Sequence, residues 1–387
     1  MKFAEKMNSL SSSIFLELDR KKQEIASRGA DVINLSIGTP DTPPAAHIMR
    51  ALEEACREPE NMKYAVTDLP ELVGAVAGWY ARRYGVALEP DEILGMGGSQ
   101  EGLSHIALAL CDPGDWILVP DPGYPIFQNG SHIASARAWH MPLREECGYL
   151  PDLGAIPEEI ARKARLMVLS YPMNPLGALA PEGFFDEVIA FAKKYDIVVL
   201  HDNAYSEIVF DGRRCGSFLA HEGAKDVGIE FNSLSKSYNL TGARISFALG
   251  NRDVIAAYRN LKSHMDYGVF RPVQRAAVAA LTGPQDCVRE LCALYESRRD
   301  ALVESFGAAG WPITPPEATL FVWARLPEGH TDSMRFCMEL ADRTGVLAVP
   351  GIAFGEGGEG YARIALVRDE AALREAARRI RESGMLR

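Results

Sequence analysis

Short apolar runs, each followed at once by polar or glycine-rich residues, recur through the middle of this chain and restrict what it can fold into. WILV at 116–119, LMVL at 166–169, IVVL at 197–200, VGIEF at 227–231 and ISFAL at 245–249 show little polar alternation. Strands of that kind are buried on both faces, which is the pattern of a parallel sheet covered by helices. Helical patterns lie between or before them, at 45–57, 71–84 and 182–194, and in the face made by Leu103, Ile106, Ala107 and Leu110. The expectation is a mostly parallel α/β sheet. In such sheets ligands gather outside the carboxyl ends of strands. Tyr124, Asn174, Asp202 with Tyr205, and Ser233 through Lys236 all fall just after predicted strands.

The densest chemistry sits at 232–244, NSLSKSYNLTGAR. Lys236 stands among the hydroxyls of Ser233, Ser235 and Ser237, and Arg244 follows at the head of the next apolar run. Hydroxyls and a guanidinium give a phosphate monoester charge-assisted hydrogen bonds. A lysine beside them can form a Schiff base with an aldehyde once its pKa falls below the free value of ~10.4. Together these are the requirements of pyridoxal phosphate. Taken alone, S-x-S-K reads more readily as a surface lysine in a polar loop. A second anion-binding pattern is GMGGSQEG at 95–102, a glycine-rich turn entering a helix with Ser99 and Gln100 at its start. Gln100 stands where a dinucleotide fingerprint needs its third glycine, and no P-loop or nucleophile elbow fits the spacing. The stretch 32–44 predicts a short strand running into Gly38 and a stiff proline-rich loop, where a glycine allows close backbone approach to a substrate.

Composition narrows the partners. With 387 residues, 47% hydrophobic and 24% charged, the chain matches a globular enzyme of two domains or one domain with a satellite. A net charge of -11 disfavours nucleic acid and anionic membranes, though not a local basic pocket. The seven cysteines form no C-x-x-C pair, so the expectation is reduced thiols in a cytoplasmic protein, without a metal site. The N-terminus shows no signal-peptide pattern, and no apolar run approaches the ~20 residues of a membrane span. An amphipathic helix is predicted over 9–29. Beyond about 282 the pattern becomes helix, strand, helix, strand, strand. This predicts a large domain at 46–282, and a small α+β domain made of 283–387 with 1–45 packed onto it.

In these residues the chain resembles the class I/II aminotransferases, which are fold-type I pyridoxal phosphate enzymes. SLSKSYNLTGAR at 233–244 is similar to the family's lysine signature, YPMNP at 171–175 to its Y-P-x-N-P turn, DNAY at 202–205 to its D-x-x-Y, and YARI at 361–364 to its terminal arginine strand. The matches run in order over nearly the whole chain. GTPDTPP at 38–44 and GVFRPVQ at 268–274 are similar to the LL-diaminopimelate/aspartate aminotransferase-like subgroup. The resemblance implies a three-layer α/β/α large domain with a mostly parallel sheet, a smaller α+β domain, and a homodimer with shared active sites.

It also implies roles, residue by residue. Lys236 would carry pyridoxal phosphate as a Schiff base and later shuttle a proton, and Asp202 would pair with the pyridine nitrogen. Tyr205 and Asn174 would bond the phenolic oxygen, and Tyr124 would stack on the ring. The phosphate would lie among Ser99, Gln100, Ser233, Ser235 and Arg244, with Tyr64 reaching in from a second subunit. Arg363 would grip the substrate α-carboxylate, helped by backbone at Gly38. Four positions depart from the family pattern: Leu176 replaces a threonine, Asp68 a glycine, Val73 an arginine and Gln100 a lysine of the subgroup. The implied activity is ping-pong transfer of an amino group from an amino acid, LL-diaminopimelate or aspartate among the candidates, to 2-oxoglutarate or pyruvate. Specificity is expected in loops around 9–16, 38–44 and 264–271. A carbon–sulfur β-lyase built on the same residues is the alternative, and a non-catalytic binding protein a more distant one.

Overall fold

The computed structural model describes residues 1–8, 10 and 14–386. In chain order the strands are β1 (Ile33–Asn34), β2 (Ile93–Met96), β3 (Trp116–Asp121), β4 (Arg137–Pro142), β5 (Ala164–Ser170), β6 (Val198–Asp202), β7 (Gly228–Ser233), β8 (Ser246–Gly250), β9 (Phe321–Arg325), β10 (Val346–Leu347), β11 (Val349–Pro350) and β12 (Tyr361–Ala365). Seven of them make the large sheet, in the order β2-β8-β7-β6-β5-β3-β4. Its strands run parallel except β8, which is antiparallel to both β2 and β7. The expected mostly parallel sheet is present, with all five apolar runs in it.

Strand alternation sends side chains to two separate cores. Met167, Leu169, Val199 and Phe247 face one cluster, which includes Val76 and Tyr80 of helix Pro70–Tyr84 and Ala276 of helix Arg271–Thr282. Val168, Leu200, Ile229 and Phe231 face the other, with Leu103 and Ile106 of helix Ser99–Leu110 and Ile255 of helix Arg252–Ser263. Helices on both faces make the three layers. A third core joins Ile33 and Leu35 to Tyr295, Trp311, Phe336, Ile364 and Leu373. Around it lie an antiparallel sheet, β11-β12-β9, and the parallel pair β1-β10, by which the N-terminal segment is stitched to the C-terminal one.

Differences from the sequence reading have local causes. The predicted N-terminal helix runs Ile14–Ser27, and positions 9 and 11–13 of that expectation lie outside the described residues. Strand β4 shows no apolar run because it lies at an edge of the sheet and only one of its six residues is buried. Among the described residues no helix is long and apolar enough to cross a membrane.

Candidate active site

The sheet topology brings distant segments to one edge. β5, β6 and β7 are parallel, so Asn174, Asp202 and Ser233 emerge together at their carboxyl ends. The reversed β8 returns its N-terminal flank, with Arg244, to the same edge, and β2 delivers the glycine turn before Ser99 there as well. A cavity of about 470 Å³ opens at this edge. Twelve of the thirteen residues singled out in the sequence line it, from Gly38 through Arg363. The three basic side chains Lys236, Arg244 and Arg363 share it with one acid, Asp202, so the cavity suits an anionic occupant.

Two groups on the floor are held in unfavourable protonation environments. Lys236 Nζ donates to the Gly38 carbonyl at 2.6 Å. Burial, then the Arg363 and Arg244 charges, lower its pKa to about 8. Gly38 is required in this contact, because a Cβ there would run into the Phe321 ring. Asp202 ends β6 with Oδ1 buried and without a hydrogen-bond partner. Burial raises its pKa to about 6, against the opposing pull of the Ala204 backbone N–H. A buried unpartnered carboxylate oxygen facing a cavity is a receptor for a donor the protein does not supply. Tyr205 and Tyr124 are held above their ordinary pKa chiefly by burial and so present neutral hydroxyls.

The opposite end forms a cradle for an oxyanion. Helix Ser99–Leu110 starts here after Gly98, whose φ of +92° places it in the region that favours glycine. A Cβ on Gly98 would collide with the Arg244 guanidinium. Ser99 Oγ is buried without a partner, and Ser233 Oγ accepts from the Ser235 backbone N–H at 3.1 Å. A helix N-terminus, serine hydroxyls and a guanidinium converge as phosphate recognition requires.

Arg363 comes from β12, on the other side of the cavity. It is 2% exposed, and burial draws its pKa down to about 10, so it remains a cation at neutral pH. Its Nη1 donates to Asn174 Oδ1 at 2.9 Å and its Nη2 to the Ser36 carbonyl at 2.7 Å, while Nε has no partner. The rings of Phe321, Phe354 and Phe15 lie 4.0, 4.9 and 5.5 Å from its Cζ. A guanidinium clamped in an aromatic collar keeps a fixed fork for a carboxylate.

Tyr64 alone among the predicted residues does not line the cavity. It is 80% exposed, with its ring 5.6 Å from that of Tyr267. Asp68, the departure from glycine, is half-buried and accepts the Gly95 N–H at 2.7 Å, bracing the start of the glycine turn. The sequence reading missed Phe15, Phe321 and Phe354. Each is an aromatic in an apolar context, and nothing local separates a collar from a core.

The model for the family described as aminotransferase class I and II matches residues 30–380. The chain belongs to that family. An LL-diaminopimelate aminotransferase of Moorella thermoacetica is 46% identical over 383 residues, covering 98% of each chain. Among solved structures, substrate-bound BacF from Bacillus subtilis superposes with a TM-score of 0.95 at 37% identity, covering 99% of this chain and 98% of that one. A Thermus thermophilus protein named as a probable N-succinyldiaminopimelate aminotransferase gives 0.90 at 41%, covering 96% and 100%. The protein is an aminotransferase, moving an amino group from an amino acid to a 2-oxo acid.

Proposed function

We propose that the enzyme is a pyridoxal phosphate-dependent amino acid aminotransferase whose donor is LL-diaminopimelate, with 2-oxoglutarate as acceptor. One observation carries the cofactor reading: Lys236, with its depressed pKa, shares a cavity with the unpartnered Oδ1 of Asp202. The name of the 46% identical relative supports the donor. Aspartate as donor and pyruvate as acceptor fit the same residues.

The groups present fit this cofactor. Asp202 Oδ1 would accept from the ring N–H, Tyr205 and Asn174 would bond the phenolic oxygen, and Tyr124 would stack on the ring. Ser99, Gln100, Ser233, Ser235 and Arg244 would hold the phosphate. When bound, the cofactor supplies an electron sink for the pair left at Cα. Asp202 stays ionised once a protonated ring nitrogen faces it, because an opposite charge offsets desolvation. Lys236 Nζ, easily neutralised near pH 8, would be the group that accepts and moves the substrate's Cα proton. Arg363 and Asn174 orient the donor by its α-carboxylate, and Gly38 presents backbone beside it.

Residues 46–282 act as the cofactor-binding domain in this reading, and 1–45 with 283–387 as the smaller domain carrying Arg363. The functional unit is a homodimer. Met62, Tyr64, Val66, Met265, Tyr267 and Phe270 leave large apolar side chains exposed, and such a patch suits burial against a second copy. Tyr64 would then reach the partner's phosphate cradle. Seven free cysteines suit a cytoplasmic setting.

The test is glutamate formation from LL-diaminopimelate and 2-oxoglutarate by the cofactor-loaded protein. Strict dependence on both substrates is expected. Release of ammonia and a keto acid without any acceptor would instead make it a lyase. Transfer from aspartate alone would move the donor assignment.

A further inference from the structure

Behind the cavity floor, on the sheet face opposite Asp202, lies a second polar cluster with no exposed surface. His201 on β6 and Glu230 on β7 are register partners, and both are fully buried. The Glu230 carboxylate accepts from five donors. These are the Tyr80 hydroxyl at 2.7 Å, the Phe218 N–H at 2.8 Å, Ser217 Oγ at 2.9 Å, His201 Nδ1 at 2.9 Å and Asn203 Nδ2 at 3.3 Å. A carboxylate surrounded only by donors is an acceptor throughout, so the hydrogen-bond network assigns the His201 proton to Nδ1. In the neutral ring Nε2 is then an acceptor for the Tyr171 backbone N–H, 3.2 Å away, and the Tyr171 carbonyl oxygen lies 3.1 Å from the same nitrogen.

The place of that bond matters more than its strength. The β5–β6 register runs to Ser170 opposite Asp202. Tyr171, the next residue, begins the turn that carries Asn174, and His201 immediately precedes Asp202. Asn174 in turn holds Arg363 Nη1 at 2.9 Å. One imidazole nitrogen therefore links the strand bearing the floor carboxylate to the turn bearing the substrate-facing amide, just where the strand register stops. His201 and Glu230 themselves do not line the cavity.

We propose that His201, held in a single tautomer by Glu230, is a positioning residue for transamination that fixes Asn174 and Asp202 relative to each other from behind the sheet. The role rests on the cofactor reading of the cavity given above. The groups facing the imidazole are Glu230 from β7, the Tyr171 backbone beyond β5, and the Phe185 ring, whose centroid lies 4.9 Å away. A ring so enclosed has no access to substrate or solvent, and it acts only through what it holds.

The test compares two substitutions in the cofactor-loaded enzyme, since an asparagine amide overlays Nδ1 and a glutamine amide overlays Nε2. His201→Asn keeps the bond to Glu230 and loses the one to Tyr171. It should lower kcat/KM about tenfold and weaken cofactor binding severalfold, because small misplacements of positioned groups are amplified in rate. His201→Gln, which restores an acceptor to the Tyr171 N–H, should recover most of both. Equal losses in the two variants, or a folded His201→Asn with wild-type kcat/KM and cofactor affinity, would overturn the proposal. Nitrogen-15 NMR of the wild-type imidazole decides it even where a variant does not fold. Nδ1 protonated with Nε2 bare is expected, and a proton on Nε2 would contradict it. A wild-type protein that neither binds pyridoxal phosphate nor transfers an amino group would overturn the cavity reading itself, a result distinct from either variant outcome.

Discussion

Two carboxylates sit on neighbouring strands of the same sheet, both buried, and their surroundings could hardly differ more. Glu230 is surrounded by five donors, whereas Asp202 keeps one oxygen without any partner and has its pKa raised to about 6. The first arrangement is self-sufficient. The second is completed only from outside, by something that enters the cavity. Folding tolerates the uncompensated group because the rest of the sheet is well packed, and the site keeps it because an unmet acceptor is what a cofactor's ring N–H requires.

The sharpest way to break this contrast is Asp202→Asn. Turnover should fall by about a hundredfold or more, since the charge opposite the ring nitrogen is lost. The cofactor-free protein should become more stable, not less. Between the unfolded pKa near 3.8 and the folded value of about 6, the native state binds the extra proton, so stability falls as pH rises through that window. Removing the charge recovers up to about 3 kcal/mol at neutral pH. Urea melts of the two apoproteins at pH 7 would show this, and a destabilised variant would mean that Asp202 is already satisfied within the fold.

Glu230→Ala should do the reverse in kind. Stranding five donors costs about 3 kcal/mol of stability. A melt unchanged from wild type would show that the cluster is not the self-contained unit its geometry describes. Arg363→Lys keeps the charge and loses the fork. It should raise KM about tenfold for every α-carboxylate donor with a smaller change in kcat; an effect on one donor only would assign Arg363 to side-chain recognition. The smallest expected effect is Tyr64→Phe, about two- to fivefold in cofactor affinity, as for one hydroxyl–phosphate bond. Sedimentation of wild-type protein as a monomer at assay concentration would remove its path to a partner's cradle.

Much of this was legible before any coordinates. The apolar runs after which Asn174, Asp202 and Ser233 appear specified a covered sheet, and sheet topology alone then gathered those residues at one edge. Lys236 and Arg244 were readable because hydroxyls, an amine and a guanidinium at that spacing suit few ligands. The aromatic collar of Arg363 was not readable, since Phe15, Phe321 and Phe354 converge only through tertiary packing. His201 and Glu230 escaped for a related reason. Each lies one strand pitch from the other in space but 29 residues away in sequence, inside runs that read as plain core strands. The edge strand β4 was invisible because half-exposed positions carry no apolar pattern.

The central claim is that Lys236 is the cofactor's attachment point. The most direct measurement is borohydride reduction of the protein after incubation with pyridoxal phosphate, followed by mass mapping of its peptides. A pyridoxyl group on Lys236 and on no other lysine is the result this account predicts. An unmodified Lys236, or a label spread over exposed lysines with Lys236 spared, would contradict it.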